Sequence, residues 1–253
     1  VISVVVPNVE QKFDMSLKKF ITKVDDKNLE SREPEFVKGE NGSYTYKKND
    51  ELESVVNNNL VTYTIRVYNE SDIKGKVAEI TDYLPKGLEF YSSEVDGINY
   101  GWSVVEGTNG KEIKTSYLAD KNFIVAAESY DVFKNDGYAD VKVKCKVNLQ
   151  NTNQTVYLTN RAEITQDKAV SIDDNGNETV LNVTDRDSKE DNVKIPEDRP
   201  GYKDDESKKD YVPGQEDDDD FEKLVVKKFD LALRKFITKL NLSLIHIWRC
   251  RRL

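Results

Sequence analysis

"KFDMSLKKFITKV", residues 12–24, can be drawn in two ways. As a helix it gathers Phe13, Leu17, Phe20, Ile21 and Val24 on one stripe. As a strand it places Phe13, Met15, Leu17 and Ile21 on one face, with Lys19 among them. The choice decides the fold, and the neighbouring sequence makes it. "LVTYTIRVYN" (60–69) alternates Val61, Tyr63, Ile65 and Val67 with polar residues. "YADVKVKCKVNL" (138–149) sets Val141, Val143, Cys145 and Val147 against Lys142, Lys144 and Lys146. "TVYLTNRAEIT" (155–165) gives Val156, Leu158, Ala162 and Ile164. A two-residue period of this kind marks half-buried antiparallel strands. Turns fall at "NGSY", "LPKGLEF", "EGTNGKE" and "KNDGY". An all-β neighbourhood favours the strand reading of 12–24. Several short strands over ~150 residues predict an immunoglobulin-like antiparallel β-sandwich.

The opening motif returns. "KFDLALRKFITKL", residues 228–240, repeats it at an offset of 216. The expected organisation is therefore one complete unit and the first strand of a second, cut from a tandem array. Residues 1–11 read as the end of a preceding segment, 12–183 as the complete unit and 224–241 as the truncated next strand. Between them, 184–223 reads as an extended acidic linker. Thr184–Glu222 carries 16 acidic and 7 basic residues with three prolines, too little apolar surface to fold alone. "DRDSKED" and "EDDDD" in this stretch are carboxylate clusters of the kind calcium takes. Their spacing does not match an EF-hand loop, and the reading adopted is solvated spacer with no metal.

Composition narrows function. Net charge is −9, and leaving out Arg249, Arg251 and Arg252 takes it to −12. An acidic chain without a basic stripe is not expected to bind nucleic acid. No apolar run reaches the ~20 residues of a membrane-spanning helix, so no membrane insertion is expected in this chain. Before residue 242 the only thiol is Cys145, which reads as a small buried hydrophobe. Without a phosphate-binding glycine loop, paired cleft carboxylates or a histidine before 246, no turnover enzyme and no cofactor are expected.

Three polar residues fall on inward faces. Lys19 follows Met15 and Leu17; Asp82 sits between Ile80 and Leu84 in "VAEITDYLP"; Asn160 sits between Leu158 and Ala162. Burying any one alone costs several kcal/mol, whereas together they can satisfy one another. They can also react. Desolvation favours a neutral amine on Lys19 and a protonated Asp82. The amine is then a nucleophile toward the Asn160 side-chain carbonyl, with Asp82 polarising that carbonyl and relaying the proton. Ammonia leaves, and a Lys–Asn isopeptide bond remains. The repeat supports the lysine chosen: position 18 becomes Arg234 in the second copy, while Lys19 matches Lys235. Arginine stays protonated and cannot attack. Lys12, Lys18 and Lys23 remain alternatives, Asp82 also suits a turn cap before "YLPKG", and Asn160 also suits a backbone-satisfying role.

"VTYTIRVYNE", "AEITDYLPKGLEF" and "LTNRAEIT", introduced by the motif that recurs as "KFDLALRKFI", together resemble the Ig-like isopeptide-forming repeats of Gram-positive surface adhesins and pilins, of the collagen-adhesin A type. The resemblance covers roughly residues 12–167. It implies a cross-link from a first-strand lysine (Lys19) to a last-strand asparagine (Asn160), assisted by an aspartate (Asp82), with Lys235 the equivalent lysine of the next repeat. It implies a stalk segment of an extracellular, cell-wall-associated fimbrial or adhesin protein, with neighbouring repeats of the same chain as partners. A ligand-binding module for a host extracellular protein or glycan is the alternative, with Tyr44, Tyr46, Tyr91, Tyr100 and Trp102 as its contact patch. "LSLIHIWRCRRL" (242–253) resembles the translated read-through of a transposase-derived sequencing adapter. His246, Trp248 and Cys250 are accordingly given no role.

Overall fold

The computed structural model describes residues 13–29, 32–38, 44–47, 49, 51–71, 73–107, 111–119, 138–149, 154–193, 211–213, 216–227, 234–236 and 239. These residues form strands and turns, with no α-helix among them. The helical drawing of 12–24 therefore fails: the segment is β1 (Met15–Val24), which turns into β2 (Lys27–Asn28). β3 (Glu35–Lys38) pairs with β4 (Tyr44–Lys47), and short β5 (Glu53–Val55) precedes long β6 (Leu60–Asn69). β7 (Lys74–Leu84) leads through the Pro85–Leu88 turn into β8 (Leu88–Ser92). Gly87 sits in that turn at φ 105°, where only glycine is unstrained, and Leu149 packs against its α-carbon. β9 (Glu94–Val95), β10 (Ile98–Asn99), β11 (Ser103–Glu106) and β12 (Lys111–Thr115) follow. β13 (Tyr138–Val147), β14 (Val156–Ile172), β15 (Glu178–Val180) and β16 (Asp219–Val226) complete the order.

Two sheets carry the structure. One runs β2-β1-β6-β13-β8 and the other β11-β12-β7-β14-β16-β5, with β15 attached to β14. Pairing in both is antiparallel except between β5 and β16. The alternating residues meet in a single core: Met15, Leu17 and Ile21 from β1; Val61, Tyr63, Ile65 and Val67 from β6; Val141, Val143, Cys145 and Val147 from β13. Ile80, Leu84, Leu158, Ala162, Ile164 and Leu224 face them from the other sheet. The fold is an all-β sandwich-like body, as the alternation predicts.

Strand β16 departs from the sequence reading. Residues 184–223 were expected to form a solvated linker and 224–241 a new strand, yet one strand crosses that boundary and pairs with β14 from Val156↔Val226 to Glu163↔Asp219. Its acidic residues are accommodated because partners reach them from elsewhere. Arg161 bonds Asp219, both fully buried, and Arg32 bonds Glu222. The Lys19 backbone N–H donates to Asp220 Oδ2 at 2.6 Å. Leu17 N–H donates to the Asp217 carbonyl at 2.8 Å. Because 17 meets 217 and 19 meets 220, β1 and β16 run side by side in the same direction. Residues 1–11 and 242–253 lie outside the described residues. Lys235 is described and exposed.

Candidate functional site

Lys19 occupies the middle of β1, with β6 beside it and Ile65 as its cross-strand neighbour. Strand alternation turns its side chain inward with Leu17 and Ile21, and none of it reaches solvent. Asp82 lies near the end of β7, opposite Ala162 of β14 on one side and Ile113 of β12 on the other. Asn160, two residues from Ala162, occupies the diagonal position on the same face of β14. The small Ala162 side chain leaves space between them. Asp82 and Asn160 are likewise fully buried. One sheet thus supplies the amine and the other supplies the acid and the amide.

The three groups converge on one atom. Lys19 Nζ lies 2.6 Å from Asp82 Oδ2, and Asn160 Nδ2 donates to the same oxygen at 3.5 Å. Asp82 Oδ1 and Asn160 Oδ1 have no hydrogen-bond partner. Lys19 Nζ also stands 5.0 Å from the centre of the Tyr63 ring, which closes the site from β6. Burial pulls the Lys19 pKa down, opposed by the Asp82 carboxylate. Burial pushes the Asp82 pKa up, opposed by Lys19. Each shift favours the neutral form, so proton transfer from amine to carboxylate across 2.6 Å is made easier than in water. The buried Tyr63 phenol and Cys145 thiol are both pushed up by burial and stay protonated, so Cys145 is no nucleophile here.

The residues singled out by alternation are thus brought together. Among the alternative lysines, Lys18 is buried on the opposite face of β1, Lys23 is only half-buried, and Lys12 lies outside the described residues. The aromatic contact patch is not assembled as expected. Tyr100 and Trp102 are core residues, Trp102 donating its indole N–H to the Lys142 carbonyl at 2.8 Å, while Tyr91 is exposed. The side chains of Tyr44 and Tyr46 lie outside the described residues. Sequence reading missed Tyr63 as the ring over Lys19 and Asp220 as the group holding the Lys19 backbone. The first was visible only as one more apolar position, and the second was hidden in an acidic run. No protein-family model matches the chain, and no curated protein matches it.

Proposed function

We propose that this chain is a structural repeat of a bacterial cell-surface stalk or adhesin, of immunoglobulin-like type, stabilised by an autocatalytic Lys19–Asn160 isopeptide bond. The observation that carries the reading is the 2.6 Å approach of Lys19 Nζ to Asp82 Oδ2 inside a solvent-inaccessible core that also holds Asn160. The amine passes its proton to Asp82 and attacks the Asn160 side-chain carbon. Rotation of the carboxamide brings its carbonyl oxygen to the protonated Asp82, which polarises it, passes that proton to the leaving nitrogen and takes up the second proton of the attacking nitrogen. One C–N bond forms, one breaks, and one ammonia departs. No cofactor and no external substrate take part, so the reaction occurs once per molecule. The two oxygens without partners, Asp82 Oδ1 and Asn160 Oδ1, are acceptors that this rearrangement would use.

The bond would tie β1 of one sheet to β14 of the other and carry tension directly between them. Such a unit suits a tandem array of repeats outside the cell, with neighbouring repeats as its partners. The test is the intact mass of the full chain. The wild type should weigh one ammonia less than its sequence, and Lys19→Ala, Asp82→Ala and Asn160→Ala should each restore the full value. A wild-type mass equal to the sequence mass would refute the bond.

A further inference from the structure

The two carboxylate clusters read as solvated spacer are drawn together beside the start of β1. Phe13 bridges Asp185, and the Arg186 N–H donates to the Phe13 carbonyl at 3.0 Å. Asp185 spends both oxygens on backbone: Oδ2 accepts from Met15 N–H at 2.8 Å, and Oδ1 accepts from Asp187 and Ser188 N–H at 3.2 and 3.0 Å. These bonds fix the turn. They leave Asp14, Asp187 and Asp217, all buried, aimed at one point, with a carboxylate oxygen from each within 4.8 Å of the others.

Charge there is unbalanced. Arg186 contacts Asp14 Oδ2 at 2.5 Å and Asp187 Oδ2 at 3.5 Å, and Ser188 donates to Asp217 Oδ1 at 3.1 Å. Asp14 Oδ1, Asp187 Oδ1 and Asp217 Oδ2 are buried with no hydrogen-bond partner. Glu70 and Asp185 add further negative charge. Burial, then repulsion among these carboxylates, raises the pKa of Asp14 and Asp217. A buried anionic oxygen without a donor is strongly unfavourable unless a proton or a cation meets it. Two oxygens bound to one calcium ion at ~2.4 Å can lie no more than ~4.8 Å apart, the limit this trio respects. An all-carboxylate donor set suits a hard cation rather than zinc.

We infer that Asp14, Asp187 and Asp217 form a calcium site that fastens the 185–188 turn and the 216–218 approach to β16 onto the start of β1. The remaining coordination positions fall to water and neighbouring oxygens. The site uses none of the residues of the cross-link and stands whether or not that bond forms.

Calorimetric titration of the chelator-stripped full chain with calcium chloride and, separately, magnesium chloride tests this. One calcium per chain is expected with Kd on the order of 10⁻³ M or tighter, magnesium binding more weakly. Calcium should also raise the melting temperature. Asp187→Asn should weaken calcium binding on the order of 10-fold or more. In chelator the same variant should melt no lower than wild type, because it relieves repulsion among the carboxylates and Arg186 keeps its closer partner, Asp14. A wild type that shows neither heat nor a melting shift with calcium overturns the site. So does an Asp187→Asn variant with wild-type affinity, or a preference for magnesium.

Discussion

Replacing Asn160 with alanine removes the acyl partner of the proposed bond but leaves the Lys19–Asp82 ion pair in place, so no buried charge is orphaned. The loss then measures the cross-link with little else. Lys19 and Asn160 close a loop of about 140 residues, for which the chain-entropy relation gives roughly 5 kcal/mol at 25 °C. At about 2–4 °C per kcal/mol for a domain of this size, the melting temperature should fall by about 10–20 °C. Scanning fluorimetry beside intact mass is the assay. Asp82→Ala should fall further, since Lys19 would then be buried without its counter-ion, a loss of about 3–5 kcal/mol by itself. If wild type lacks one ammonia and Asn160→Ala still melts within a degree or two of it, the entropic reasoning is wrong.

Other expectations follow from the same geometry. Burial lifts Glu163 to about 7, Asp167 to about 8 and Asp187 to about 7, from ordinary values near 4. Raised carboxyls bind more protons folded than unfolded, so their contribution is complete at low pH and lost as pH climbs through the folded values. In chelator, melting temperature should therefore fall between pH 5 and pH 8. Asp219→Ala removes the buried carboxylate that Arg161 bonds and should cost about 3–5 kcal/mol, read as a lower urea midpoint. Ending the chain at Gln215 removes β16 and should abolish cooperative unfolding, whereas a mere linker would be dispensable. Gly87→Ala forces a side chain into φ 105° and onto Leu149, and should lower stability by about 1–3 kcal/mol.

The sequence made the sheets legible where one face is apolar and the other polar. β6 and β13 alternate almost without fault, and that regularity exposes Lys19, Asp82 and Asn160 as interruptions. β1 was ambiguous because each of its faces breaks the pattern: Lys19 interrupts the apolar face and Phe20 interrupts the polar one. β16 was illegible for a different reason. Asp219 and Glu222 become tolerable inside with Arg161 and Arg32 arriving from 58 and 190 positions away. Periodicity reports burial along one strand and is silent about which distant charge will neutralise an acid. The convergence of Asp14, Asp187 and Asp217 escaped for the same reason.

The co-directional course of β1 and β16 sets how this unit would answer a pull. The chain enters at Phe13 and leaves past Val226, at opposite ends of two neighbouring strands held by Leu17–Asp217 and Lys19–Asp220. Force applied at those ends would slide one strand lengthwise against the other and load their contacts in shear, all at once. Contacts stressed in that way fail together rather than peeling one after another.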